Sequence, residues 1–316
     1  MKDKPCICIG HLRIIDHLIL GSTNLKLKNN ELSISCSNLE IKSMNSWDQV
    51  IDGLREQSIN GAFLPAPIAM DLFASGLDIR ILMFVHRSGS VIVKNKNLNI
   101  KEITDFKGKT VLVPSELSIQ NMLLHRLLSS ANLKLGSHND TSADVAWETV
   151  NPFLMDEMLK SDQDNDIAGF AVAEPFGTKA VLDKIAGRVC TSHSLWQNHP
   201  CCVFVLNTSF IKDNLTAVQE IVSLFTHTGQ SLEKSSRQEN INLAQEFLDQ
   251  KKEVIEHIFL NTDISFSPSL LVPDIEVLNI IQNYMKDVMG VLKNRIDMNR
   301  LVDSSYILDI ISENKF

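Results

Sequence analysis

The sequence predicts an α/β fold of two lobes, each a mainly parallel sheet flanked by helices. Three observations carry this. Apolar runs of strand length alternate with segments of helical period from the N-terminus onward. The stretch 166–177, DIAGFAVAEPFG, reads as a strand covered on both faces: Ile167, Ala168, Phe170, Ala171 and Val172 are nearly continuous. Pro175 follows at once, suited to a first helical turn. The same strand-into-helix pattern occurs earlier as INGAFLPAPIAMDLF, residues 59–73, so the chain holds two such units. Where a strand ends and a helix begins, free backbone N–H groups face a ligand.

The elements follow in order. Cys6 to Leu12 reads as strand, and Asp16 to Leu27 as helix with Asp16 as its cap. Leu39 to Met44 is strand. Ser46 then caps a helix from Trp47 to Gln57, whose Trp47, Val50, Ile51 and Leu54 fall on one face. Ala62 to Leu64 is strand, and Pro67 to Ser75 is helix, closed by Gly76. Strands Ile79 to Val85 and Val91 to Val93 flank the break at 86–90. A second alternation begins near Ile103: a turn and strand in DFKGKTVLVP, a helix from Ser118 to Ala131, and strand Val145 to Val150. Helix Pro152 to Lys160, strand Ile167 to Val172, helix Phe176 to Asp183 and strand Val189 to Ser192 follow. After Pro200, CCVFVLNTSFI is a strongly apolar strand, and the remainder is helical. The chain crosses between lobes near 87–103 and 193–204. Lobe one is therefore discontinuous, 1–88 with 201–316, and lobe two is 89–200.

Composition excludes several classes. A net charge of −8 without a long Lys/Arg run argues against nucleic acid and against polybasic membrane attachment. No apolar run approaches the roughly 18 residues of a membrane span. MKDKPCICIG does not read as a signal peptide, so the chain is cytoplasmic or its leader has been removed. The six cysteines show no zinc-type spacing and read as buried free thiols. Cys6 and Cys8 share one strand face as small core residues. Cys201 and Cys202 point to opposite faces if their segment is a strand. No metal or other cofactor is assigned.

The ordered segments GHLRIIDHL (10–18), SWDQVIDGL (46–54), INGAFLPAPIAM (59–70), DFKGKTVLVP (105–114), LSIQNMLLHRLLSSANL (117–133), GFAVAEPFG (169–177) and SLWQNHP (194–200) resemble a known family. They are similar to type II periplasmic binding proteins of ABC importers, in the nitrate/sulfonate/bicarbonate group. The chain departs from that pattern at Phe176, where the family often has Trp, at His125-Arg126, and at Cys201-Cys202 after the His-Pro. The resemblance implies a periplasmic-binding-protein-like type II fold, with a ligand cleft between lobes at the strand ends.

Candidate ligand residues are those at helix starts and crossings facing such a cleft. Ser46, Ser115 and Ser118 read either as caps or as direct contacts. Ala66-Pro67 and Glu174-Pro175 start helices whose N–H groups suit a small anion. Trp47 reads as a flat wall for the ligand or as a core residue. Arg13, with His11, could grip an oxyanion in two-pronged fashion. Ser88-Gly89-Ser90 allows close backbone approach, and the amides of Gln120 and Asn121 lie one turn into the lobe-two helix. The preferred role of Glu174 is to accept N–H bonds at its own helix start. The resemblance to the bicarbonate-binding branch, where a cation partner is known, implies that a metal could accompany the ligand. His199-Pro200 reads as structural.

These residues lead to a solute receptor that captures a small anion and docks on a membrane permease, acting as a monomer on the outer side of the cell membrane. Two alternatives stay open: a cytoplasmic nitrate or nitrite sensor, and an enzyme resembling a pyrimidine synthase. His11, His86 and the Cys201–Cys202 pair are the only catalytic candidates for the latter.

Overall fold

The computed structural model describes residues 4–314. The outermost positions of the expected first lobe, 1–3 and 315–316, lie outside the described residues. The strands are β1 (Cys6–His11), β2 (Asn38–Ser43), β3 (Gly61–Pro65), β4 (Ile79–Phe84), β5 (Ser90–Asn95), β6 (Thr110–Val113), β7 (Leu135–Ser137), β8 (Val145–Thr149), β9 (Ile167–Ala173), β10 (Ala186–Thr191) and β11 (Cys202–Asn207). The first six α-helices are α1 (Leu18–Lys28), α2 (Trp47–Arg55), α3 (Ala66–Ala74), α4 (Ile119–Ser130), α5 (Met155–Ser161) and α6 (Phe176–Leu182).

Two compact units result. The first comprises Met1–Arg87, Pro200–Asp249 and Ile264–Phe316; the second comprises Ser88–His199 and Gln250–Asp263. The last segment differs from the expected partition, which kept all of 201–316 in lobe one. Helix Lys252–Asn261 packs on α6 of the second unit through a buried Val254, Ile255 and Ile258 face. The side chain of Arg188 also reaches the Asn261 carbonyl at 3.5 Å.

The first unit is built on a five-stranded sheet of order β2-β1-β3-β11-β4. β1 pairs in parallel with β2 and β3, whereas β11 runs antiparallel to both its neighbours. The second unit has a six-stranded sheet of order β10-β5-β9-β6-β8-β7. There β6, β7, β8 and β9 are parallel, and β5 is antiparallel to β9 and β10. Each mainly parallel sheet thus contains one reversed strand. Both reversed strands, β5 and β11, come directly after a change of unit.

Local chemistry explains the elements. β11 and β9 are buried almost throughout, as their unbroken apolar runs require. Ser46 caps α2 by accepting from the Gln49 amide at 3.3 Å, and Ser118 caps α4 from the Asn121 amide at 3.1 Å. Gly76 closes α3 at φ +100°, in the left-handed region that favours glycine. The core of the first unit is an aromatic cluster: Phe63, Phe204 and Phe225 lie with ring centroids 5.3–5.4 Å apart, and His17 edges onto Phe63 at 5.6 Å. The second core joins Phe106, Val111 and Val113 to Leu124, Leu128, Ala168 and Ala171. Gly169 lets β9 lie against β5, since a Cβ there would sit 1.9 Å from the Val93 carbonyl oxygen.

Two expectations fail at this level. Asp16 does not cap α1. A 3-10 turn, Ile15–His17, precedes that helix, and buried Ile14 and Ile15 draw the turn inward with the carboxylate of Asp16. Cys6 is exposed at the start of β1, so only Cys8 behaves as a core residue.

Candidate functional site

In the second unit, the candidates come together at the start of β5, the end of β9 and the start of α4. The Glu174 amide donates to the Gly89 carbonyl at 3.0 Å, tying the end of β9 to the turn before β5. Gln120 donates through Nε2 to the Ser90 hydroxyl at 2.8 Å, tying α4 to the same turn. Ser88 sits 3.3 Å from His193 Nδ1, and the Ser90 amide donates to the Ser192 hydroxyl. Ser88 has φ +61° and Gly89 φ +94°, so this turn occupies the left-handed region twice in succession.

The start of α4 is a tight polar knot. Ser115 accepts from the Leu117 amide, and the Ser118 hydroxyl donates to the Ser115 carbonyl at 2.7 Å while capping Asn121. Asn121 donates to the Glu116 carbonyl, and its Oδ1 is buried without a hydrogen-bond partner. Such an acceptor suits a donor from a ligand or from water.

Glu174 takes the preferred role. Its Oε2 accepts from the Thr178 amide at 2.9 Å, and its Oε1 accepts from the Thr178 hydroxyl at 2.6 Å. Arg188 then donates to that same hydroxyl oxygen at 3.1 Å. Glu174 therefore serves the first turn of α6, with Pro175 at the N-cap position. Thr178 and Arg188 join this network, and sequence reasoning missed both. A threonine four residues after a strand-end carboxylate was the available signal.

In the first unit, the candidates are more dispersed. His11 is buried, stacks on Phe247 at 5.5 Å, and lies 2.9 Å from the Leu12 carbonyl through Nδ1. Burial pushes its pKa down to about 4, against the raising effect of that carbonyl and with a small lowering by Arg13. Arg13 is exposed and donates to the Ser43 hydroxyl at 3.3 Å. Trp47 is buried with its ring edge-on to His17, on the core side of α2. The helix start at Ala66-Pro67 gives less than expected. The Ala66 amide donates to the Cys201 carbonyl at 2.9 Å, and Pro67 has no N–H.

A second polar group in this unit was not foreseen as a unit. Asp16, His86, Cys201 and Cys202 are all buried, and their donor atoms lie within 4.8 Å of one another. His86 Nε2 is 3.1 Å from Asp16 Oδ2, and the Cys202 thiol is 3.8 Å from the same oxygen. Burial alone would lower the His86 pKa; the Asp16 carboxylate outweighs it and holds it up at about 10. The Cys202 thiol draws Cys201 below the usual thiol range against burial, whereas burial pushes Cys202 well above it. The two cysteines do not take opposite faces, because Cys201 precedes β11 and escapes strand alternation. His199 belongs to the second unit, where the Ser88 amide donates to its carbonyl at 3.0 Å.

Comparison with known proteins places the chain. The NMT1-like family model matches residues 31–248. A nitrate/nitrite binding protein, NrtA, from Nostoc sp. is 26% identical over 65% of this chain and 49% of its own length. The chain also matches 24% of the length of a nitrate import ATP-binding protein, NrtC, from Synechocystis sp., so it spans about half or less of these curated relatives. Among solved structures, the periplasmic nitrate-binding protein NrtA from Synechocystis PCC 6803 superposes with a TM-score of 0.83 at 15% identity, over 99% of this chain and 90% of that one. A zinc-bound ligand-binding component of an ABC-type import system from Staphylococcus aureus gives a TM-score of 0.83 at 21% identity, over 97% and 99%. The fold is that of the periplasmic binding proteins. No helix among the described residues is long and apolar enough to cross a membrane. With the family model covering most of its length and the fold agreeing, the chain belongs to the NMT1-like family.

Proposed function

We propose that the chain is the solute-binding component of an ABC importer, capturing a small anion of nitrate, bicarbonate or sulfonate type and delivering it to a membrane permease. The observation that carries this reading is the convergence at the start of α4. The N-terminal end of a capped helix meets the Ser88–Ser90 turn and the end of β9 through the Ser90–Gln120 and Gly89–Glu174 bonds. Such a helix end attracts negative charge through its amides and dipole, with no dedicated lysine. The relatives' roles, nitrate/nitrite binding and nitrate import, support the same class.

In this reading Ser88, Gly89, Ser90, Ser115, Ser118 and Gln120 are the ligand contacts of the second unit, and the Asn121 Oδ1 acceptor takes the O–H of a protonated anion such as bicarbonate, or of water. Glu174 and Pro175 act by holding the α6 start in place. Arg13 and Ser46 are the proposed polar contacts of the first unit; His11, Trp47, Ala66 and Pro67 support them. The protein works as a monomer on the outer side of the cell membrane, and it binds without turnover.

A thermal-shift screen tests this with nitrate, nitrite, bicarbonate with and without Ca²⁺, taurine and short alkanesulfonates. A ligand at a hundred times its Kd adds about 2.7 kcal/mol. The reading expects a saturable rise with one of these anions, reduced in Gln120→Leu. A rise with none of them, but one with a pyrimidine, would replace the receptor by a different binding chemistry.

A further inference from the structure

We propose that Asp16, His86, Cys201 and Cys202 form a buried four-donor site for a divalent transition metal, zinc foremost. The proposal concerns the first unit alone and does not depend on the anion reading. Neither the family match nor the roles of the relatives point to these residues.

Geometry is the first argument. The group offers a carboxylate oxygen, an imidazole nitrogen and two sulfurs, all within 4.8 Å of one another. Tetrahedral zinc, with bonds of about 2.0–2.3 Å, sets its ligand atoms roughly 3.3–3.8 Å apart. The Asp16 Oδ2 to His86 Nε2 distance of 3.1 Å and the Asp16 Oδ2 to Cys202 Sγ distance of 3.8 Å fit that spacing with small adjustments. Two thiols with an imidazole select a soft or borderline cation over calcium or magnesium.

The second argument is electrostatic. Asp16 Oδ1 and His86 Nδ1 are buried without hydrogen-bond partners. An ion pair between Asp16 and His86 would leave the second carboxylate oxygen unsatisfied, at a desolvation cost that a pair rarely recovers. A divalent cation resolves this, because it neutralises the carboxylate and is bound by the sulfurs as thiolates.

The third argument is position. Asp16 lies in the turn before α1, His86 just after β4, and the cysteines at the entry to β11. The Ala66 amide bonds to the Cys201 carbonyl, and the Val85 amide to the Cys202 carbonyl at 3.2 Å. A metal here would pin the α1 turn to the β3, β4 and β11 side of the first sheet. All four residues are at most 1% exposed, so no position is left for substrate and the site is structural, loaded as the chain folds.

The full chain is refolded from denaturant under reducing conditions with Co²⁺, with Zn²⁺, or with chelator. Bound metal is counted by elemental analysis, and cobalt ligation is read from its absorption spectrum. The proposal expects about one cobalt per chain, with a thiolate-to-cobalt charge-transfer band and the intense visible bands of a tetrahedral ion. Cys201→Ser/Cys202→Ser should lose the charge-transfer band. If that variant does not fold, Cys6→Ser/Cys8→Ser/Cys36→Ser/Cys190→Ser, which leaves only the pair, must keep the band. Folded protein without stoichiometric metal, metal without thiolate ligation, or a band that follows the other four cysteines would each overturn the proposal.

Discussion

Thr178→Val removes one hydroxyl from the second unit and keeps the side-chain shape. The residue is 1% exposed. Its hydroxyl donates to Glu174 Oε1 at 2.6 Å and accepts from Arg188 Nη2 at 3.1 Å, so one atom joins a buried carboxylate to a guanidinium. A hydrogen bond to a charged group contributes about 1.5–3 kcal/mol, and a buried acceptor stripped of its donor costs at the upper end of that range. Glu174 keeps the Thr178 amide, so the loss is partial. The expected destabilisation is about 2–3 kcal/mol. Thr178→Ser keeps the hydroxyl and loses one methyl, for about 1 kcal/mol. Urea unfolding followed by far-UV circular dichroism gives both values, provided the slope is unchanged. The reasoning is refuted if valine is tolerated as well as serine, because the hydroxyl would then carry no net energy.

Gly169→Ala forces a Cβ to within 1.9 Å of the Val93 carbonyl oxygen, a backbone atom with no flexible side chain to yield. A loss of at least about 3 kcal/mol should show as poor soluble yield and a lowered unfolding temperature, and a wild-type-like melt would contradict it. Burial holds the His11 pKa at about 4 in the folded chain, against about 6.5 unfolded. The unfolded state takes up the proton first, so stability falls as pH drops from about 6.5 to 4, by about 3 kcal/mol in all. His11→Gln should flatten that limb of a stability–pH curve; an unchanged limb assigns the acid sensitivity elsewhere. Phe63→Ala opens the centre of the Phe63–Phe204–Phe225 cluster. It should cost about 3–5 kcal/mol by urea unfolding, and a loss below 1 kcal/mol would mean the ring is not core.

The two-unit α/β design was legible because period and punctuation are local. Ser46 before Trp47, Val50 and Leu54 marks the start of α2, and the run after Asp166 marks β9. What escaped depends on tertiary placement. Asp16 carries the signature of a helix cap, yet the burial of Ile14 and Ile15 turns its carboxylate inward. Strand alternation puts Cys201 and Cys202 on opposite faces, but it begins only at Cys202. The amphipathic face of Lys252–Asn261 says that this helix packs, not on which unit. β7, with three residues, is too short for period to register. In the candidate site, the cap Ser118 is readable from its position before α4, whereas Ser115 accepts from the Leu117 amide in the preceding turn and caps no helix. The Gln120–Ser90 bond, spanning 30 positions, and the Asp16–Cys202 approach, spanning 186, leave no trace in local pattern.

The central claim is that this member of the NMT1-like family binds a small anion reversibly. Isothermal titration of the purified full chain with nitrate, bicarbonate and methanesulfonate tests it most directly. The account predicts saturable one-site binding of one of these anions, weakened at least about tenfold in Gln120→Leu, a loss of 1.4 kcal/mol or more. Folded protein that gives no saturable heat and no thermal stabilisation with any of the three would contradict it.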